Sequence, residues 1–173
     1  MKKTFPAVAV LAAATALVVA GCGSSSNNSS SSGGAYGSSS ATTTSTSTSA
    51  GGATVAVGSA SGVGQVLVDS NGMTLYYFEK DKQGSDKSTC YGSCASVWPP
   101  QATSGAPKAT SGAEASKLGA IKRTDGAKQV TYNGWPLYTY TADTQPGQAN
   151  GTDVKSFGGS WYPLHANGEK AGS

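Results

Sequence analysis

Three side chains that could bind a soft metal lie in the second half of the chain. They are Cys90 and Cys94, at the ends of Cys-Tyr-Gly-Ser-Cys, and His165, the only histidine. Two thiolates and one imidazole suit Cu(I), because soft sulfur ligands favour that ion. The same cysteines could form a thiol-redox pair or a structural disulfide. Once Cys22 is assigned to lipidation, as argued below, an even number remains in an exported protein. This favours the disulfide, with no metal or other cofactor.

A second group of candidate residues occurs twice, 62 residues apart, within the pattern Leu-Tyr-x-aromatic-x-x-Asp. The first copy supplies Tyr76, Phe78 and Asp81, and the second supplies Tyr138, Tyr140 and Asp143. In a strand, the Tyr and the following aromatic residue share one face. They could form an exposed platform on which sugar rings stack, with the Asp as a polar anchor. The interpretation that we favour buries the aromatic pair in the core and lets each Asp cap a turn.

Catalytic chemistry has little support in the sequence. His165 lies in the polar stretch Leu-His-Ala-Asn-Gly, and no nucleophile with an orienting group is recognisable around it. The chain has no phosphate-binding loop, and residues 58–62 read Gly-Ser-Ala-Ser-Gly, with Ala in place of a nucleophilic serine. We therefore expect a protein that is not an enzyme.

The elements that position these residues are duplicated too. Short alternating or β-branched segments predict strands at 54–57, 65–68 and 73–78, and again at 118–122, 129–132 and 135–140. The pairs Asn71-Gly72, Asp125-Gly126 and Asn133-Gly134 favour type I′ hairpin turns. Each copy closes with Trp-x-Pro, at 98–100 and 161–163. The expected fold is mainly β, with two tandem repeats of about 60 residues (about 53–100 and about 118–164). Each repeat is a three-stranded antiparallel meander plus an irregular segment, and the two pack as one domain over residues 53–173.

The N-terminal segment indicates export and a lipid anchor. Residues 1–21 have a positively charged start and a short apolar run, which is typical of a signal peptide. The run ends in Val-Ala-Gly-Cys, which resembles a bacterial lipobox. The resemblance implies that Cys22 carries acyl chains, including palmitate. These chains would hold the protein on the extracytoplasmic side of the cell membrane. Residues 22–52 are almost all Ser, Thr, Gly, Ala and Asn without charge, which predicts a disordered tether.

Charge excludes one class of partner. The chain carries 12 Lys+Arg and 9 Asp+Glu, and loss of Lys2 and Lys3 with the signal leaves a net charge of only +1. No basic stripe remains to bind nucleic acid. The expected partners are the membrane, through the lipid anchor, and a cell-wall glycan or an envelope protein. An envelope copper-binding or thiol-redox protein is the alternative function.

The segment after the tether resembles the bacterial secreted-repeat lipoproteins, which are described by a Tyr-x-(Phe/Trp/Tyr)-x-x-Asp motif. The likeness rests on the two motif copies, on Cys-x-x-x-Cys followed by Trp-Pro-Pro, on Asn-Gly-x-Pro-Leu-Tyr and on a late Gly-Gly-x-Trp. It covers residues 53–173 with these motifs in order. The resemblance implies an envelope module without an established activity, and it supplies no catalytic residue.

Overall fold

The computed structural model describes residues 51–172. The expected signal peptide, Cys22 and nearly all of the tether lie outside the described residues. The strands of the described part are β1 (Thr54–Ala60), β2 (Gly64–Asp69), β3 (Tyr76–Phe78), β4 (Lys108–Ala109), β5 (Leu118–Lys122), β6 (Lys128–Tyr132), β7 (Trp135–Pro136), β8 (Val154–Ser156) and β9 (Gly159–Pro163). A short helix, α1 (Ser93–Val97), follows β3, and a 3-10 turn (Ala115–Lys117) precedes β5. Within this range, no helix has both the length and the apolar character needed to cross a membrane.

The first copy begins with the antiparallel hairpin β1–β2, as the sequence predicts. The expected third strand pairs with β2 only at its start, where Thr74 bridges Val68. Its continuation, β3, lies in a different sheet. On the other side of β1, the two-residue strand β4 runs parallel to it, a pairing that the sequence does not indicate.

The second copy forms the predicted three-stranded meander, because β6 pairs with both β5 and β7, but the third strand is much shorter than the predicted 135–140. The turn between β6 and β7 has positive φ at both Asn133 (49°) and Gly134 (78°), as a type I′ turn requires. The type I′ prediction is wrong at the other two pairs, where only Gly72 (78°) and Gly126 (88°) have positive φ. There, the glycine amide donates to the carbonyl three residues earlier, which lengthens the turn by comparison with a two-residue loop.

The two copies exchange strands. A third sheet has the strand order β3-β9-β8. In it, β3 of the first copy pairs with β9 of the second, and Tyr76 lies opposite Pro163. The reciprocal contact is the bridge between Tyr138 and Pro100, the last residue of the first Trp-x-Pro segment. Each motif strand therefore lies against the closing segment of the other copy. The mainly β fold with two repeats in one unit is confirmed. The repeats interleave, however, because the meander of the first copy is incomplete and the motif segment of each copy pairs with the other copy.

Both faces of the exchanged strands are buried. A mainly aliphatic cluster takes one face and includes Leu75, Tyr77 and Leu137, together with Leu67 and Val130 from β2 and β6. An aromatic cluster takes the other face: Tyr76, Phe78, Cys90, Cys94, Trp98, Tyr138 and Trp161. The second cluster contains most of the candidate functional residues that the sequence indicates, so the candidate site lies there.

Candidate functional site

The centre of the aromatic cluster is the point where the two motif tyrosines meet. The backbone amide of Tyr76 donates to the carbonyl of Tyr138 at 2.8 Å, and the amide of Tyr138 donates back to Tyr76 at 2.9 Å. Neither side chain is exposed to solvent. Exchange of the two copies reproduces this pair of bonds, as in an isologous interface between two identical subunits. A local twofold relation therefore passes through the two motifs.

The tyrosine hydroxyls and the motif aspartates pair across this relation. The phenol of Tyr76 donates to Asp143 Oδ2 at 2.5 Å, and the phenol of Tyr138 donates to Asp81 Oδ2 at 2.6 Å. Each tyrosine is thus bonded to the aspartate of the other copy and not to that of its own. Hydrogen bonds to an ionised acceptor are roughly twice as strong as neutral ones. The two motifs are halves of one reciprocal buried arrangement.

The second oxygen of each carboxylate organises the loop that follows the motif. Asp81 Oδ1 accepts from the amide and the hydroxyl of Thr89, both at 2.7 Å. Asp143 Oδ1 accepts from the amide of Asn150 at 2.9 Å. The aspartates therefore bind backbone amides, but seven or eight residues ahead. An Asp that caps an ordinary turn bonds to the amide two residues ahead, so these contacts close a longer loop than the turn expected from the sequence.

The aromatic residues of the cluster form a continuous stack of four rings. Phe78 stacks on Trp161 at 4.1 Å, Trp161 on Trp98 at 4.0 Å, and Trp98 on Tyr140 at 4.1 Å, with interplanar angles of 9°, 1° and 17°. The order alternates between the copies, so the stack also obeys the local twofold relation. Phe78 and both tryptophans are buried, whereas Tyr140 is only partly covered. An extended ligand platform is therefore not available on these rings.

Each tryptophan also meets a motif tyrosine edge-on. Tyr76 contacts Trp98 with ring centroids 5.4 Å apart, and Tyr138 contacts Trp161 at 5.1 Å. Gly151 closes over the first pair: a Cβ there would lie 2.7 Å from Trp98 Cη2 and 2.8 Å from Tyr76 Cε1, so any larger residue would displace the rings. The packing is dense enough that each ring position depends on its neighbours.

The disulfide between Cys90 and Cys94 is confirmed, and both residues are buried against the aromatic cluster. In this state neither sulfur is a thiolate ligand. His165 is not brought together with them: its Nδ1 lies 2.7 Å from the carbonyl oxygen of Gln65. Over residues 51–172, no group of three or more His, Cys, Asp and Glu side chains is arranged to hold a metal ion.

Arg123 is buried, although nothing in the sequence singles it out. Its guanidinium donates to Ser88 Oγ (2.9 Å), Gln129 Oε1 (2.7 Å) and the Cys90 carbonyl (2.7 Å). Ser88 in turn lies 2.7 Å from the Tyr138 hydroxyl, so this network reaches the motif. The Arg123 guanidinium also bonds to Asp125 and lowers the pKa of that carboxyl. An arginine beside an Asp-Gly turn is usually solvated, but here the side chains of Ser88 and Gln129 and the carbonyl of Cys90 enclose the guanidinium.

Burial sets the acid–base behaviour of the motif tyrosines. Desolvation, followed by the bond to Asp143, raises the pKa of Tyr76 well above its usual range. Desolvation and the negative charge of Asp81 do the same to the pKa of Tyr138. Nearby on the other face of β3, burial raises the pKa of Tyr77 to about 12. All three remain neutral donors or packing groups at physiological pH.

These shifts predict alkaline unfolding. A tyrosine in the unfolded chain ionises near pH 10, whereas Tyr76 and Tyr138 in the folded chain do not. Their contribution to stability is complete below pH 10 and is lost as the pH rises from there toward the folded values. Each lowers the free energy of unfolding by about 1.4 kcal/mol per pH unit in that window. Tyrosinate absorbance and near-ultraviolet circular dichroism should change together, and Tyr138→Phe should weaken the pH dependence. Complete ionisation with an unchanged circular dichroism signal would contradict this assignment.

Comparison with known proteins adds one finding. A model of a family described as a secreted repeat of unknown function matches residues 60–102 and 119–165. The two matched segments coincide with the two copies described above, and the description fits a module outside the cytoplasm. No curated protein and no solved structure matches the chain.

Proposed function

Since the chain belongs to the family of secreted repeats of unknown function, we propose that it is a lipid-anchored envelope protein whose repeat domain is a non-enzymatic binding or structural module. Cys22, at the end of Val-Ala-Gly-Cys, is the anchoring residue in this proposal. Several acyl chains, each contributing about 0.8 kcal/mol per buried CH₂, hold a protein on a membrane without a spanning helix.

The observation that carries the non-enzymatic part is the use of the motif in packing. Asp81 and Asp143 are 3% and 6% exposed, and each is bonded to a buried phenol of the opposite copy. Acidic and phenolic groups in such an arrangement have no open side on which a substrate could lie. The motif supports the fold, and binding belongs to the outer surface of the domain.

The tether and the charge support a location at some distance from the membrane surface. Residues 22–52 as a flexible coil would have a typical end-to-end reach of roughly 30 Å. The mature chain is nearly neutral, so electrostatic attraction to anionic lipid is weak. The partners in this proposal are a cell-wall glycan or another envelope protein within that reach.

Replacement of Cys22 by Ser tests the anchor. We expect the variant to appear in the medium or to remain unprocessed, because the acyl chains are its strong membrane contact. Fractionation of cells followed by immunoblotting measures the distribution. The matched control is the double variant Cys90→Ala, Cys94→Ala, which loses two cysteines but should stay with the membrane. A Cys22→Ser protein that is cleaved and still sediments with membranes would show the anchor assignment to be wrong.

A further inference from the structure

The four-ring stack connects solvent with the buried tyrosines. Tyr140, at one end, is the stack member that is not buried, and Trp98 and Trp161 follow it at contact distances of 4.1 and 4.0 Å. Phenol and indole rings are the side chains that lose one electron most readily, and electrons move quickly between π systems in contact. Phe78 closes the far end, where its benzene ring is much harder to oxidise. The rings therefore form a short electron-transfer path that is accessible from solvent at Tyr140 and blocked at Phe78.

The two indoles are placed to pass an oxidising equivalent on and not to retain it. An oxidised indole is trapped when a base removes its N–H proton. Within the described part of the chain, Trp98 Nε1 donates to the hydroxyl of Ser156 at 3.3 Å, and a hydroxyl is a poor base. Trp161 Nε1 is buried and has no hydrogen-bond partner among residues 51–172. An unpaired buried donor is normally a cost to the fold. Here it leaves the second indole without a proton acceptor as well.

The tyrosines at the sides of the stack have the acceptors that the indoles lack. Tyr76 lies against Trp98 and donates to Asp143 at 2.5 Å, while Tyr138 lies against Trp161 and donates to Asp81 at 2.6 Å. Oxidation of a phenol releases its proton, and a carboxylate already in hydrogen-bond contact receives it without any movement of heavy atoms. Each tyrosine is therefore the end point for an equivalent that enters the stack.

We propose that the stack is a one-electron relay that takes an oxidising equivalent at Tyr140 and stores it as a neutral tyrosyl radical at Tyr76 or Tyr138. The oxidant is a one-electron oxidant in the solvent outside the cell, such as an organic or peroxyl radical, and it gains one electron. Trp98, reached through Tyr140, is transiently the indole radical cation. Tyr76 then gives one electron to Trp98 and its phenolic proton to Asp143. A one-electron donor reverses both transfers. Trp161, Tyr138 and Asp81 repeat the step in the other copy.

This activity is independent of the anchor and of the binding partner. It makes the domain a reversible sink for radicals, a role that needs a rigid core with no open active site. The buried position of both end points separates a radical from other molecules, which limits cross-linking between chains. Loss of membrane anchoring in a Cys22→Ser protein would leave the relay unaffected.

Flash photolysis of the full chain in detergent, with photogenerated ruthenium(III) tris-bipyridine as the oxidant, tests the relay. We expect a short-lived tryptophanyl absorption that is replaced by a tyrosyl signal. Electron paramagnetic resonance with ring-deuterated tyrosine identifies the final species as a neutral tyrosyl radical. The final step should be slower in D₂O, because a proton moves with the electron.

Two conservative variants keep the stack and alter the path. Tyr140→Phe retains the ring contact with Trp98, so it should fold normally but slow the appearance of the tyrosyl signal several-fold. Asp143→Asn combined with Asp81→Asn removes both proton acceptors and should prolong the tryptophanyl signal at the expense of the tyrosyl one. Tyr91→Phe is the matched control, because Tyr91 packs under Arg123 and lies outside the stack. It should behave as the wild type.

Three outcomes would overturn the relay. The first is a tyrosyl signal that forms equally fast in Tyr140→Phe and in the wild type. The second is a tryptophanyl signal that decays without any tyrosyl product. The third is a tyrosyl signal that disappears in Tyr91→Phe, which would place the radical at the surface.

Discussion

Replacement of Trp161 by Ala is expected to lower the free energy of unfolding by about 3–5 kcal/mol, the range for truncation of a buried aromatic side chain. Trp161 is fully buried, stacks between Phe78 and Trp98, and meets Tyr138 edge-on. The loss is a large part of the total, since domains are typically stable by about 5–15 kcal/mol. Urea unfolding followed by circular dichroism measures it.

Trp98→Ala should cause a loss of similar size, because Trp98 occupies the equivalent place in the stack. Trp135→Ala is the matched control: this ring is only half-buried and contacts Tyr77 at 4.6 Å outside the stack, so a smaller loss is expected. Both stack variants should still unfold in a single transition, since the rings of the two copies alternate. Two separate transitions in Trp161→Ala would mean that the copies are independent, contrary to the exchanged strands.

Tyr76→Ala and Tyr138→Ala are each expected to destabilise the domain by about 3 kcal/mol or more. Truncation removes a buried ring and leaves the aspartate of the other copy without its phenol donor. Tyr76→Phe isolates the second effect and should cost about 1.5–3 kcal/mol, as for other hydrogen bonds to charged groups. Thermal and urea denaturation give both values.

The crossed pairing makes a sharper test possible. In a double-mutant cycle, Tyr76→Phe should couple with Asp143→Asn, whereas Tyr76→Phe and Asp81→Asn should add independently. Coupling with Asp81 would mean that each motif is closed on itself. If both alanine variants were as stable as wild type but failed to bind whole cells or cell-wall material, the motif would be a ligand platform after all.

Local sequence identified six strand segments and the faces that the motif residues occupy. It did not predict β4, β8 or β9, and the strands predicted at 73–78 and 135–140 are shortened to β3 and β7. Alternation along residues 73–78 predicts that Tyr76 and Phe78 share a face opposite Leu75 and Tyr77, and the structure places these pairs in two different core clusters. A period of two specifies the faces because each step along a strand reverses the side chain. The duplication was likewise evident from the repeated spacing. The disulfide was the favoured one of three interpretations of Cys90 and Cys94, because two of the three cysteines remain once Cys22 is assigned to lipidation.

Other features depend on segments far apart in the chain. The sequence marks Trp98 and Trp161 as the ends of two copies, but their stacking follows only from the exchange of closing segments. The burial of Arg123 depends on Ser88 and the Cys90 carbonyl, more than 30 residues earlier. No local pattern records such contacts, because an arginine in a turn has the same neighbours in the chain whether it is solvated or enclosed.

The sequence alone specifies which side chains share a strand face and where the hairpin turns lie, since hydrophobic alternation and turn chemistry act over a few positions. Which copy supplies each partner follows from the folded arrangement of both copies. A motif strand could pair within its own copy or with the other copy. Both pairings fit the same alternation of side chains between the two faces, and they differ only in what covers each face. Exchange covers both faces of β3 and supplies each buried aspartate with a phenol donor. Buried polar groups need hydrogen-bond partners, and here the other copy supplies them. The free-energy cost of leaving a donor or acceptor unpaired therefore depends on how the two copies pack together.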